Sequence, residues 1–536
     1  MSAIFRLCEQ YILKAAALDP VEAVYLGLAG DFGAATDYSP DGHEARHELV
    51  QHTLAELSRL APETGTDRRA AAHLRERLEA QAAVHTIGEP YREVSSPFGL
   101  ITAIRDSIDL LPRGTEEHWR EIAVRLAAIP GMLAGWRTTL DAGLGRGLRA
   151  ARRQALGAAD QAERLAGTHD ELIAGHGDGP AAAELAEAAR AAYRGYAEIA
   201  RYLREEYAPR ADERDAVGAE RYAVAARLQL GEEIDLHDAY QWGWAELERI
   251  EAEMAAEARA ILPGATVSEA IAHLDSTQYV VGPDAYLAWL EQEHERAVAA
   301  LNGVAFDIPE ALRTVDVVLA PGSTSGAPYY TQPSEDLTRP GRTWWPLGGR
   351  EKFATWSDFT TVFHEGVPGH HLQLGAVAVA GDKLSRHAKM SWVGGHGEGW
   401  ALYAERLADE LGWLSAPGAR LGMLAASALR AARVVIDIGV HLELPLPDGS
   451  RWTFEKACEV LRDRGRAEAH QVNPEVLRYF GWPGQAICYK LGERAWMEAR
   501  AEAQARPGFD LKTWHTAALD LGPMGLGTMR EELARI

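Results

Sequence analysis

Cysteine is scarce in this sequence, and its scarcity limits the kinds of protein that the chain can form. Only three cysteines occur among 536 residues, and Cys8, Cys458 and Cys488 lie far apart in no metal-ligand spacing. A disulfide-stapled scaffold is therefore excluded, and the composition suits a reducing cytoplasm.

Long apolar runs are also missing. No segment approaches the roughly 20 apolar residues that a membrane-spanning helix needs. The first residues of the sequence lack the basic start, apolar core and cleavage site of a signal peptide. We therefore expect a cytoplasmic protein that has no membrane partner.

Positive charge is in deficit, since 55 Lys and Arg residues stand against 78 Asp and Glu residues and the net charge is −23. Phosphate binding needs a concentrated basic face, so this charge argues against nucleic acid as a partner, and it also argues against anionic membrane surfaces. Hydrophobic residues make up 47% of the chain, which is ordinary for a soluble globular protein. The length predicts two lobes or one large helical body.

Residues 1 to about 265 have the pattern of successive helices, because Ala, Glu, Arg and Leu dominate and apolar residues recur at three-and-four spacing. Between about 312 and 348 the chain instead contains short runs rich in β-branched and aromatic residues. These runs are Thr314–Leu319, Ala327–Thr331 and Arg342–Trp345. They predict a small antiparallel sheet or hairpin pair in a mainly α protein, and an aromatic-rich surface loop is the alternative.

The residues best suited to chemistry begin at His364. Ser357 can cap a helix over 358–365, whose buried stripe holds His364 at a fixed angle. Zinc enzymes often use the pattern H-E-x-x-H, in which two histidines one turn apart bind one metal and the Glu activates a water molecule. His364 and Glu365 match the start of that pattern.

The second histidine of the pattern is displaced. Four residues after His364 stands Pro368, which cannot ligate and disrupts the helical hydrogen-bond ladder. His370 and His371 follow, and seven residues of ideal helix would separate two backbones by roughly 10 Å. One metal ion therefore needs a broken or bulged turn, for which Pro368 and Gly369 supply a reason. We favour His370 as the second ligand and His371 as a substrate contact or a support for a ligand, and the reverse assignment stays open.

A third ligand must come from elsewhere, with the fourth position left for water. On a helix that starts near 397, Glu398, Leu402 and Glu405 share one face. Glu398 is the natural carboxylate ligand, and Glu405 can orient a ligating histidine. His396 and His387 compete for the role of ligand. The alternative is a cluster of solvated or hydrogen-bonded histidines that binds no metal.

Three motifs carry a resemblance to a known family. HEGVPGHHLQ, HGEGWALYAE and RYFGWPGQAICYKLG occur in this order and resemble the bacterial domain-of-unknown-function 885 (DUF885) family over nearly the whole chain. That family is similar to the gluzincin metallopeptidases, which implies a mainly helical, two-lobed fold with a central channel. We expect an N-terminal helical lobe over 1–300 and a catalytic lobe over 301–536, joined as one continuous structural unit.

The resemblance also implies roles for individual residues. Glu398-Gly399-Trp400-Ala401 is similar to the N-E-G-F-A helix that carries the third zinc ligand of gluzincins. The segment 478–480 looks like the R-Y-F of angiotensin-converting enzyme and related carboxypeptidases. This implies that Tyr479 stabilises the oxyanion and that Arg478 supports it, with Tyr489 as the alternative donor. The chain departs from these relatives by interrupting H-E-x-x-H.

Other polar residues have two interpretations each. Asp437 and His441 lie one turn apart, so His441 either binds substrate in a cleft or forms a buried pair with Asp437. Glu475 precedes Arg478 by three residues and can be its ion-pair partner. The tyrosines at 329–330 can line the cleft, since edge strands bind extended peptides.

We therefore predict a zinc-dependent hydrolase that cleaves peptide or amide bonds, with Glu365 as general base and Tyr479 as oxyanion donor. Its substrates would be short peptides or small amide-containing molecules, because a helical channel excludes folded protein. The expected Zn²⁺ ligands are His364, His370 and Glu398, and the expected substrate-binding residues are His371, Arg478, His441 and Tyr489. The alternatives are a metal enzyme that acts on a pathway intermediate and a non-catalytic metal-bound scaffold, and a homodimer is left open.

Overall fold

The computed structural model describes residues 1–28, 30–320, 327–334, 337 and 339–536. This part of the chain is mainly helical and contains two small sheets. The helices are α1 (Ala3–Leu18), α2 (Pro20–Tyr25), α3 (Pro40–Leu57), α4 (Gly65–Thr86), α5 (Leu100–Asp109), α6 (Glu116–Gly145), α7 (Arg152–Leu165), α8 (His169–Ala174), α9 (Ala182–Arg201), α10 (Ala219–Leu230), α11 (Leu236–Ile261), α12 (Val267–Thr277), α13 (Pro283–Leu301), α14 (Thr355–Glu365), α15 (His370–Val379), α16 (Arg386–Lys389), α17 (Gly394–Glu410), α18 (Ala419–His441), α19 (Phe454–Asp463), α20 (Ala469–Gly481), α21 (Cys488–Gln504), α22 (Leu511–Asp520) and α23 (Leu526–Leu533). The strands are β1 (Tyr279–Val281), β2 (Asp316–Ala320), β3 (Tyr329–Thr331), β4 (Arg342–Pro346) and β5 (Lys352–Ala354). No helix of the described ranges combines the length and the apolar composition needed to cross a bilayer.

The chain forms two compact units. The first comprises residues 1–225, 440–443 and 474–483, and the second comprises 226–439, 444–473 and 484–536. The expected boundary near residue 300 lies inside the second unit, which holds all five of these strands.

The core of the first unit centres on α6, which packs against α9. Pro130 lies inside α6, and Gly195 of α9 faces it so closely that a Cβ at Gly195 would lie 3.0 Å from the Pro130 Cα. Leu126, Ile129 and other apolar residues at helical spacing fill the contact and are fully buried. The helical periodicity read from the sequence therefore corresponds to real core-facing stripes.

The two sheets lie in the second unit. Strands β1 and β5 pair antiparallel, and β3 pairs antiparallel with β4. Strand β2 joins the other side of β4 in parallel. The antiparallel element that the sequence predicts is therefore present, but it does not include β2. The reason is that composition and alternation identify a strand without fixing the direction of its neighbour.

A compact apolar cluster supports α14, the helix that ends at Glu365. Tyr286, Leu290, Trp345, Phe353 and Val362 are almost completely buried together. They join α13, the sheets and the buried face of α14, as the stripe of apolar residues in that helix predicts. The cluster holds the end of α14 in place.

Candidate metal centre

The helix that carries His364 ends where the sequence predicts a break. Helix α14 stops at Glu365, four residues follow, and α15 begins at His370. The Gly369 N–H donates to the Phe363 carbonyl over 3.0 Å, and the Val367–Pro368 bond is cis. A Cβ at Gly369 would lie 2.0 Å from the His364 carbonyl oxygen, so only glycine permits this close approach. The start of α14 differs from expectation, because the helix begins at Thr355 and is not capped by Ser357.

The break brings two histidines and one glutamate together. The Nε2 atoms of His364 and His370 lie 3.5 Å and 3.6 Å from the same Oε2 of Glu398, and the two imidazole planes are perpendicular. Within the described residues these three side chains form the group that could hold a metal ion. Tetrahedral zinc with bonds of about 2.0–2.1 Å requires ligand atoms roughly 3.3–3.5 Å apart. The donor set and its spacing therefore fit zinc.

Glu405 fixes the orientation of the His364 ring. The Nδ1–H of His364 donates to Oε1 of Glu405 over 2.8 Å, and the Thr360 hydroxyl donates to Oε2 over 2.5 Å. The bond to Glu405 keeps a proton on Nδ1, so Nε2 is the nitrogen that can bind a metal ion in exchange for its own proton. This is the supporting role that the sequence assigns to Glu405.

Burial and opposite charge compete at this centre. Burial by itself lowers the pKa of His364, but its hydrogen bonds to Glu398 and Glu405 outweigh that effect and raise the pKa to about 10. Burial by itself raises the pKa of Glu398, yet His364 and His370 hold it below its usual range. The buried carboxylates thus attract positive charge strongly, as a site for a divalent cation must.

Glu365 lies beside the cluster with an unused carboxylate oxygen. The residue is buried, and its Oε2 has no hydrogen-bond partner among the described residues. Burial raises the pKa of this carboxyl, while the charges of His364 and His370 act in the opposite direction. A buried carboxylate with a free oxygen can exchange a proton with a bound molecule.

His371 lies outside the cluster, although it is adjacent to His370. Its Nε2–H donates to the Leu312 carbonyl over 3.0 Å, and its Nδ1 accepts from the Tyr330 hydroxyl over 3.2 Å. The structure therefore favours His370 over His371 as a ligand candidate. A direct contact between His371 and substrate stays a prediction.

The other competing histidines are also outside the cluster. His396 accepts a hydrogen bond at Nδ1 from the Gln373 amide over 3.2 Å, and His387 is buried on α16. Burial lowers the pKa of His396 to about 3, which keeps its ring neutral. Within the described ranges neither ring supplies an atom to the cluster.

Glycines let α17 bring Glu398 to the site. A Cβ at Gly399 would lie 2.4 Å from the carbonyl carbon of Gly492 on α21, so these two helices meet backbone to backbone. Trp400 adds a second tether, because its Nε1–H donates to the Pro368 carbonyl over 2.8 Å. The helix of Glu398 is thus bonded to the turn that separates the two histidines.

A narrow apolar pocket adjoins the cluster. Trp392, Trp496 and His396 contribute to its walls. The Trp392 ring lies 5.7 Å from the ring of His370. The Nε2 of His396 and the Oε1 of Gln373 are buried there without a hydrogen-bond partner in the described chain. The pocket therefore offers one donor and one acceptor to a small polar group.

The residues of the R-Y-F segment belong to the first unit. The Tyr479 hydroxyl donates to Glu475 Oε2 over 2.6 Å, and Arg478 forms an ion pair of 2.9 Å with the same carboxylate. The pair predicted between Glu475 and Arg478 is therefore present. His441 is fully buried and its Nε2–H donates to the Tyr479 carbonyl over 2.9 Å, so its contact with substrate stays a prediction. Tyr489 lies in the second unit, with the Arg433 guanidinium 4.7 Å from its ring centre.

Sequence reasoning missed three residues at this centre: Thr360, Trp392 and Arg430. Thr360 could have been found, because it precedes His364 by four residues and shares its helix face. Trp392 lies in the segment before α17 and Arg430 lies on α18, and no spacing in the sequence relates them to His364.

Comparisons with known proteins agree with the fold. The profile of a family described as "Bacterial protein of unknown function (DUF885)" matches residues 20–533. A crystal structure described as a "putative lipoprotein" from Colwellia psychrerythraea superposes with a TM-score of 0.86 at 21% identity, covering 99% of this chain and 98% of that one. A second solved structure, described as a "putative lipoprotein of unknown function" from Shewanella oneidensis, superposes with a TM-score of 0.79 at 18% identity and covers 100% of both chains. No curated protein matches the sequence.

These matches correct one expectation. Both solved structures are described as lipoproteins, which contradicts the cytoplasmic location expected from the sequence. The expectation was wrong because cysteine count and apolar run length report on redox chemistry and membrane spanning, and neither records where a chain is delivered.

Proposed function

Since the chain belongs to the bacterial DUF885 family, whose description names no activity, we propose a function from its candidate metal centre. The protein is a zinc-dependent hydrolase that cleaves peptide or amide bonds in short peptides or small amide-containing molecules. We also propose that its fold is gluzincin-like, with two lobes and a central channel. The observation that carries it is the convergence of His364, His370 and Glu398 next to the free carboxylate oxygen of Glu365.

The donor set supports zinc as the metal. His364, His370 and Glu398 would hold the ion through two imidazole nitrogens and one carboxylate oxygen, which is the ligand set of many zinc hydrolases. A bound zinc ion supplies Lewis acidity and lowers the pKa of water toward neutrality. Glu405 and Thr360 keep the His364 ring in the orientation that this role needs.

Glu365 acts as the general base. Its Oε2 takes a proton from the attacking water and later delivers that proton to the leaving amine. The raised pKa of this buried carboxyl suits both transfers, because the group accepts a proton more readily than an exposed glutamate does. A purely structural metal site has no use for such a residue beside its ligand.

The developing oxyanion needs a hydrogen-bond donor. We assign this role to Tyr479, supported by Arg478, and Tyr489 is the alternative. The contact of Tyr479 with Glu475 supports an ordered hydroxyl, although that hydroxyl must leave Glu475 to donate elsewhere. His371 and His441 are assigned to substrate binding.

Metal analysis combined with a peptide-library digest tests the proposal. The purified protein should contain about one zinc ion per chain and should cleave short peptides. Glu365→Gln should retain the metal and lower the rate by about 10²–10⁴-fold, because it removes the base without removing a ligand. Glu459→Gln, at an exposed position of α19, is the matched control and should behave like the wild type. Undiminished turnover in Glu365→Gln, or no cleavage by the zinc-loaded wild type, would refute the assignment.

A further inference from the structure

Helix α18 leads from the last turn of α17, where Arg420 pairs with Asp409, to the first turn of α21, where Lys490 donates to Ser427. That turn of α21 packs against the start of α17, and α14 likewise passes Glu405 before it reaches Glu398. The two helices α14 and α18 therefore run in the same direction.

A Cβ at Gly422 of α18 would lie 2.4 Å from the Trp356 carbonyl oxygen and 3.0 Å from the Ser357 Cα, so the two helices touch near their starts. Arg430 follows Gly422 by eight residues, and Glu365 follows Ser357 by eight residues. Each interval spans about 12 Å of helix. Parallel packing therefore brings Arg430 level with Glu365.

The electrostatics agree with this position. Burial has the largest effect on the pKa of both Glu365 and Glu405, and the positive charge of Arg430 contributes to lowering each. Coulomb interactions weaken as the distance between two charges grows, so a charge that acts on both carboxyls lies in their neighbourhood. Arg430 is thus close to the base and to the carboxylate that orients His364.

The guanidinium of Arg430 has little bonding of its own. Its Nη1 donates to the Ala426 carbonyl of the preceding turn over 3.1 Å, and its Nε is buried with no partner among the described residues. In the described chain no carboxylate forms an ion pair with it. By contrast, Arg420 on the same helix is shared between Asp409, Glu253 and Glu257. Arg430 therefore keeps donors that a bound anion can use.

A guanidinium offers paired N–H groups that match a carboxylate in shape and charge, and a partly buried cation gains most from such a partner. We propose that Arg430 binds a carboxylate of the substrate close to the bond that is cleaved. The substrates are then acidic peptides or amides, with either a C-terminal carboxylate or an acidic side chain next to that bond. This inference rests on the proposed function and deepens it.

Matched substrates test the carboxylate. The probes are N-acetylated tripeptides of alanine in three forms: a free C-terminal acid, a C-terminal amide, and an amide with aspartate as the last residue. The wild type should cleave a carboxylate form with a kcat/KM about 10–100-fold above that of the plain amide. The form that is preferred tells whether the C-terminus or a side chain supplies the carboxylate. No preference for either acid over the amide would overturn the inference.

Substitutions of Arg430 identify its role. Arg430→Gln should lower kcat/KM for the preferred acid by about 10–100-fold and leave the plain amide nearly unchanged, and Arg430→Lys should retain part of the preference. Arg462→Gln, at an exposed arginine of α19, is the matched control and should keep the full preference. An equal loss on acid and amide would mean that Arg430 only balances the neighbouring carboxylates, which overturns the inference. If Arg430→Gln does not fold, the test compares the wild type with Arg430→Lys. A smaller preference for the acid peptide over the plain amide in Arg430→Lys supports the inference, and an unchanged preference overturns it.

A binding measurement separates this inference from the proposed function. Calorimetric titration of the acid and amide peptides into Glu365→Gln, and into Glu365→Gln with Arg430→Gln, reports affinity without turnover. We expect tighter binding of the acid only when Arg430 is present. That result without any hydrolysis by the wild type would refute the hydrolase and keep the carboxylate site. Hydrolysis with equal binding of acid and amide would refute the site alone.

Discussion

The Nδ1–H of His364 donates a 2.8 Å hydrogen bond to Oε1 of Glu405, and the opposite nitrogen of the ring lies 3.5 Å from Glu398. Glu405 thus orients the imidazole of His364, and Glu398 lies in front of the opposite ring nitrogen. Glu405 is therefore needed to keep the Nε2 of His364 at this distance from Glu398, because a ring that is free to rotate would not stay there.

Loss of the Glu405 contact should weaken metal binding without abolishing it. Glu405→Gln and Thr360→Val each remove part of the support for His364, and we expect a loss of zinc affinity of about 10–100-fold. Competition with a chromophoric chelator measures this affinity directly. Glu459→Gln serves as control, and an affinity equal to that of the wild type in both variants would contradict the supporting role.

The two adjacent histidines should differ sharply. His370→Ala should lose most bound zinc, because it removes a ligand atom 3.6 Å from Glu398. His371→Ala should keep it, because both nitrogens of His371 are engaged by Leu312 and Tyr330. Elemental analysis of the purified variants checks this. The reverse pattern would assign the metal to His371 instead.

Two tyrosines compete for the oxyanion. Tyr479→Phe should lower kcat by about 10²–10³-fold with little change in KM if its hydroxyl meets the transition state, and Tyr489→Phe should then have a small effect. Steady-state kinetics of both variants on the same peptide decide between them. A large fall in kcat in Tyr489→Phe alone would transfer the role to Tyr489.

Buried neutral histidines should make the protein sensitive to acid. Burial lowers the pKa of His515 to about 4, and its ring bonds to the Ala305 carbonyl and to Tyr403. An unfolded histidine has a pKa of about 6.5, so the unfolded chain binds the extra proton first as the pH falls. The stability that His515 contributes is therefore complete above about pH 6.5 and declines toward pH 4, by about 3 kcal/mol in total.

Thermal unfolding between about pH 7 and pH 4.5 measures this decline. His515→Gln should be less stable at neutral pH, yet it should lose less stability on acidification than the wild type does. The exposed His470→Gln is the matched control. An identical acid dependence in wild type and His515→Gln would show that other groups determine it.

Much of the fold and part of the site could be predicted from the sequence. The helical stripes of α6 and α9, the strands near 316 and 342 and the break at Pro368 follow from local periodicity and backbone chemistry, which short segments determine. The grouping of His364, His370 and Glu398 could also be predicted from the sequence, because a broken turn at Pro368 allows both histidines to bind one metal ion.

The remaining features depend on contacts between distant segments. The parallel pairing of β2 with β4, the position of Trp392 and the alignment of Arg430 with Glu365 are set by how elements pack, and no local pattern encodes that. The glycines around Glu398 illustrate the same limit. The sequence predicts that Glu398 lies near the start of a helix, but it does not show that Gly394 and Gly399 let this helix approach α21 so closely.

Because α14 and α15 are separate helices, the segment that joins the two histidines can vary in length. Within one continuous helix, a single inserted residue would turn the second histidine by about 100° and carry it away from the first. Here the four residues between Glu365 and His370 lie outside both helices, so the second histidine is presented by the start of a separate element. A search for related centres should therefore allow the number of residues between the two histidines to vary. It should require instead a glycine at the point where the chain passes close to the backbone at the end of the first helix.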